Sequence, residues 1–153
     1  MANIVFNISK GRVVEYYNRV ENNDPANAAL ILVPIETTGL EADSVLIDKD
    51  DLAAFLSGTT NEQTTMGRKT LTDSDLAALP APDDTNDRYD VSLPTVTWTA
   101  ATGNAISKML VCYDPDTTGG TDSSIIPLTL FDCVLTPDGN DFQLTTGVFF
   151  RAS

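Results

Sequence analysis

The chain contains no histidine. It therefore lacks the side chain that changes charge near neutral pH and serves most often as a general base. Ser-His-Asp and Cys-His nucleophilic schemes are impossible without it. Bases are scarce as well: 9 Lys and Arg stand against 22 Asp and Glu, a formal net charge of -13. Phosphate backbones and anionic lipid surfaces attract Lys and Arg, so neither nucleic acid nor a membrane surface is an expected partner. The acid excess favours solubility and suits a basic protein partner. No run of about 18 apolar residues occurs, so no bilayer-spanning helix is expected. The opening Met-Ala-Asn-Ile-Val-Phe-Asn-Ile-Ser-Lys lacks a basic start and a long apolar core, and reads as no secretory signal. A cytosolic chain, or one assembled there into something larger, is the expectation.

Cysteine is limited to Cys112 and Cys133. Both fall in apolar stretches on either side of a loop, where they could face each other across a hairpin. In a reducing compartment two buried free thiols are expected in preference to a disulfide. A zinc site built on them would find no His to complete it. No Gly-x-Gly-x-x-Gly and no phosphate loop appear. None of Lys10, Lys49, Lys69 and Lys108 stands in a Ser-x-x-Lys arrangement, and Ser107 and Lys108 as strand neighbours would point to opposite faces. With so many acids, carboxylate pairs arise by chance, and none sits in a cleft-forming pattern. No catalytic residue and no cofactor is expected.

Against those absences stands a globular composition. The chain has 153 residues, 42% of them hydrophobic, which is enough for a single self-sufficient core. Residues 1–58 read as a mixed α/β portion docked on a β core at 88–153, with 59–87 a polar loop or arm. Ile4 to Ile8 is a short apolar stretch suited to an edge strand. Val13, Tyr17 and Val20 recur at helical spacing before the stop signal Asn22-Asn23-Asp24-Pro25. Ala28 to Glu36 is the most apolar run and predicts a buried central strand, with Pro34 near its end. Asp48 to Gly58 predicts a helix with acids at its start, Leu52, Phe55 and Leu56 on one face and Gly58 at its C-terminal cap.

The C-terminal half reads as strand after strand. Tyr89, Val91 and Leu93 alternate, and so do Val96, Trp98 and Ala100 against Thr95, Thr97 and Thr99. Ile106–Tyr113, Ser124–Leu135 and Phe142–Phe150 follow. The pattern predicts a mainly antiparallel β fold, a β-sandwich or jelly-roll-like domain, with one or two short helices in its N-terminal part. Pro137-Asp138-Gly139-Asn140 lies between two apolar stretches and predicts a tight hairpin that sets strand register.

One loop has the look of a site. In "DPDTTGGTD", Asp114, Asp116 and Asp122 fall at positions one, three and nine of a calcium loop, with Gly119 at position six. Position twelve is Ile125, which offers no carboxylate, and Pro115 with the glycines equally fits a plain turn. Trp98 and the tyrosines could stack on sugars, although the alternation around Trp98 favours a core position. A calcium- or carbohydrate-binding β-sandwich module is thus one alternative.

"TNEQTTMGRKTLT", "TWTAATGNAI", "CYDPDTTGGTDS" and the "TPDG" segment leading to "FFRAS" are the most specific parts of a wider likeness. With "MANIVFNISKGRVVEYYN" they resemble a family of small tailed-bacteriophage virion proteins, over nearly the whole chain. The resemblance implies a capsid decoration (cement) protein on the outer capsid surface of the virion, assembled in the host cytoplasm. It implies the major capsid protein and further copies of itself, as a homotrimer, for partners. It carries over no catalytic or shell-contacting residue. Another virion component, in the tail or the head–tail connector, fits the same composition.

Overall fold

The most apolar segments of the chain lie side by side. The computed structural model describes residues 4–153. Its strands are β1 (Ile4–Val5), β2 (Ala29–Glu36), β3 (Lys69–Leu71), β4 (Tyr89–Leu93), β5 (Val96–Trp98), β6 (Ile106–Asp114), β7 (Ile126–Leu135), β8 (Phe142–Leu144) and β9 (Gly147–Ala152). Its α-helices are α1 (Val13–Glu21), α2 (Asp43–Leu46) and α3 (Leu52–Phe55). An antiparallel sheet runs in the order β1-β7-β6-β2-β3. β7, β6 and β2 are its inner strands, and β2 and β6 are buried almost throughout, as continuous apolar runs require.

Each face of this sheet has a cover. On one side Leu30, Leu32, Met109 and Val111 meet Val13, Tyr16, Tyr17 and Val20 of α1, together with Val91, Leu93, Val96, Trp98 and Phe149. The helical spacing predicted for Val13, Tyr17 and Val20 is the buried face of α1. On the other side Ile31, Val33, Leu110 and Leu130 meet Phe6, Leu46, Leu52 and Phe55.

The cover on the α1 side is largely a ribbon. β4 pairs with β9 and β5 with β8, so that 89–98 runs antiparallel to 142–152. Regular pairing lapses at Pro94-Thr95 and Thr145-Thr146, where the Thr146 N–H donates to Thr95 Oγ1 at 3.1 Å. A two-stranded ribbon is marginal by itself. Here the apolar face of the ribbon is pressed against the sheet, and the domain is mainly antiparallel β and sandwich-like.

Several local expectations are corrected. Asp138-Gly139 does not join paired strands: β7 pairs with β6 and β1, and β8 with β5. The segment carries the chain from sheet to ribbon, and the Gly139 N–H donates to Ala101 O at 2.8 Å. Gly139 has φ +89, which glycine takes without strain. The turn itself has the positive-φ glycine its residues imply, but which strands flank it as partners is decided at long range.

Pro34 lies inside β2, opposite Met109. Its carbonyl accepts from Gln63 N–H at 2.9 Å, so its missing donor faces the side where β3 has ended. The helix predicted for 48–58 shrinks to Leu52–Phe55, capped by Asp51, whose Oδ1 accepts from Ala54 N–H at 2.7 Å. Leu56 is its C-cap and Gly58 lies beyond it. Ala100 leaves the strand with φ +48 and is exposed in a turn.

Segment 59–87 is more than a loop or arm. It supplies β3, and it buries Thr60 and Gln63. Nor is 1–58 a body docked on a separate β core, since β1 and β2 belong to the same sheet as β6 and β7. Long-range strand pairing interleaves the three portions.

Leu110 is fully buried between two layers, whereas Val134 is 86% exposed. Leu110→Ala is expected to cost about 3 kcal/mol through the cavity it leaves. Val134→Ala should change stability by less than about 0.5 kcal/mol. Urea unfolding midpoints at unchanged slope check both.

Candidate functional site

The three aspartates of the calcium-like loop do not converge. Asp114 ends β6, and its Oδ1 accepts from the Asp116 N–H at 3.1 Å. Asp116 accepts from the Thr118 hydroxyl at 2.6 Å and the Thr118 N–H at 3.0 Å, bonds that hold its carboxyl below the ordinary value. Asp122 opens a short 3-10 turn, Asp122–Ser124, and turns to Arg68. Among the described residues no group of three His, Cys, Asp or Glu is arranged to hold a metal. The spacing is metal-like, but each aspartate finds a nearer donor in its own turn or across the fold.

Arg68 is the hub that the sequence did not reveal. Its guanidinium meets Glu62 at 2.6 and 2.8 Å and Asp122 at 2.7 and 2.9 Å. Both contacts are bidentate, the geometry in which arginine binds carboxylates best. They fasten the 62–68 stretch to the turn that precedes β7. Hydrogen bonding from Arg68 holds Asp122 below the usual carboxylate value against the opposing effect of burial.

Lys108 is a second clamp. Its Nζ lies 2.9 Å from Asp43 and 3.2 Å from Asp132, which ties α2 to β6 and β7. Burial lowers the affinity of the ammonium for its proton, and the two carboxylates more than offset that. Ser107 Oγ is buried with no hydrogen-bond partner, so no Ser–Lys couple forms. Trp98 is 2% exposed and donates from Nε1 to Gly67 O at 2.9 Å. Its ring is a core element with no face open to a sugar.

Cys112 and Cys133 are both free. Cys112 packs on the α2–α3 side of the sheet and Cys133 on the other, so they do not face each other. Burial pushes the Cys133 thiol up to about 11 and Cys112 further still. Neither is a poised nucleophile.

The surface feature that remains is a seam. β9 shares cleft walls with Val5 of β1 and with Phe131 and Asp132 of β7, and among the described residues no backbone hydrogen bond joins it to either strand. Two adjoining clefts, about 330 and 370 Å³, share Val148 and Phe149 of β9. Phe131, Asp132 and Leu144 line one end, and Val5 and Arg151 the other. The outer edge of β9 has no strand partner among the described residues. Sequence reasoning placed the strands but not this seam, because an edge exists only once pairing is complete.

No family model, curated protein or solved structure matches the chain. Its chemistry therefore has to be read from its own geometry.

Arg68→Met should cost about 1–2 kcal/mol at pH 7, since it strands two partly buried carboxylates. Because Asp122 is depressed in the folded state, its contribution is present above the ordinary carboxylate range and is lost as pH falls through the folded value. The wild-type chain should thus lose more stability between about pH 5 and 3 than Arg68→Met does, as read by thermal melts across that range. Iodoacetamide at pH 8 should leave both native thiols largely unmodified. In guanidinium without reductant, mass spectrometry should find both alkylated.

Proposed function

We propose that this chain is a non-enzymatic structural protein of a bacteriophage virion: a capsid decoration or cement subunit that binds the outer surface of the major capsid protein shell and stabilises it. The observation that carries the reading is the open seam of the sandwich. A long ribbon edge with apolar lining is a liability in an isolated domain, and natural proteins cover such edges or use them to bind other chains. The resemblance of the sequence to small tailed-phage virion proteins supports a virion as that assembly.

The rest of the architecture supports a subunit that works by being stiff. β2 and β6 are buried on both faces. Arg68 and Lys108 clamp covering segments onto the sheet. Arg12, Arg19, Arg68, Arg88, Lys108 and Arg151 are all engaged by the chain's own carboxylates. The surplus acid keeps unassembled subunits soluble and suits a basic patch on a partner. Several copies around a symmetry axis, as in a homotrimer, would bury large interfaces without a catalytic pocket.

Purified protein is expected to bind undecorated shells saturably and to raise the temperature at which they rupture. Copy number should scale with the number of major capsid subunits. A copy number fitting one ring would assign the chain to a connector or tail instead, and no shell affinity would refute the reading.

A further inference from the structure

The seam along β9 is poor in carboxylates for so acidic a chain. Residues 142–153 include no Asp or Glu, in a chain that has 22. Arg151, the one charged residue of that stretch, is held by the Asp90 carboxylate of β4 at 2.5 and 2.9 Å. The strip is therefore close to neutral, while the chain as a whole carries -13. Two like-charged copies repel over most of their surfaces, and the repulsion is least where no carboxylates are brought together.

The strip is also shaped for contact. Val148 is 44% exposed beside the buried Phe149, and the clefts on either side of this pair are lined by Phe131, Leu144 and Val5. The hydrogen bonds of the β9 backbone go to β4 alone among the described residues, which leaves one edge of donors and acceptors open. An edge of this kind gains affinity from main-chain hydrogen bonds and specificity from alternate side chains. Asp132 is the one acid in the two cleft linings, and Lys108 lies 3.2 Å from it, so the groove offers little free negative charge to a basic partner.

We infer that the seam is where a second copy of this chain docks, adding an edge strand to β9 and covering Val148. The inference rests on the assembly role proposed above and names the surface through which copies meet. Apolar contact at Val148 and strand pairing along 147–151 supply the attraction, and the acid-free strip keeps like charges apart.

Equilibrium mass in solution, by sedimentation or light scattering, is the first test. The wild-type chain should show a multiple of 16.4 kDa that dissociates on dilution. Val148→Asp should weaken association by about tenfold or more, as loss of an interface anchor does. Val45→Asp, at a residue 46% exposed on α2, which covers the opposite face of the sheet and lies outside both cleft linings, should associate like wild type. Amide hydrogen exchange of the unaltered chain is the second test, and it stands whether or not Val148→Asp folds. Protection of 147–151 should rise with protein concentration.

A wild-type monomer at all concentrations would overturn the inference. So would equal dissociation by Val45→Asp, or protection of 147–151 that ignores concentration, since the chain would then cover its own edge. Protection that appears only when shells are added would assign the seam to a different protein and also overturn it. A monomer that binds shells sinks this inference but leaves the proposed function standing. An oligomer without shell affinity does the reverse.

Discussion

Strands β2, β6 and β7 carry apolar side chains on both faces, so each face of the sheet needs a cover, and the rest of the chain provides two. α1 and the β4–β5/β8–β9 ribbon lie on one side, and α2 and α3 with Phe6 on the other. The helices α2 and α3 are only one turn each, too short to be stable alone. They persist because Leu46, Leu52 and Phe55 are buried against the sheet. With both faces occupied, the middle of the sheet has no room for a ligand. What the molecule offers to others lies at its edges.

The ionic structure follows from the same arrangement. Arg68 and Lys108 sit where a covering segment meets the sheet, and each is shared between two carboxylates. Such partly buried pairs do more to hold register than to add net stability. By pairing six of its nine bases with its own carboxylates, the chain leaves a surplus of acid over its surface. Against that surplus the near-neutral strip 142–153 is the surface proposed for contact.

Legibility in the sequence tracked the range of the interaction involved. α1 was visible because its period is local, and β2 because seven consecutive buried residues leave no doubt about a core strand. The alternation at Val91, Leu93, Val96 and Trp98 likewise foretold the ribbon's inner face. The register around Pro137-Asp138-Gly139-Asn140 was misread, since a good turn can join two strands that pair elsewhere. The aspartates of 114–122 show the same limit: metal-like spacing says nothing about which nearer donors each carboxylate will meet, and a plain turn fitted the same residues.

The amino-acid sequence by itself settled composition-level matters: an acidic chain without histidine, and strands and a helix wherever hydrophobic period is local and strong. Only the tertiary structure decided that β1 and β2 share a sheet with β6 and β7, that Arg68 reaches Asp122 across the fold, and that β9 keeps an open edge. The reason is that side-chain periodicity is written in neighbouring residues. Strand partners and edges arise from contacts between residues far apart in the chain, chosen by the burial of the whole core.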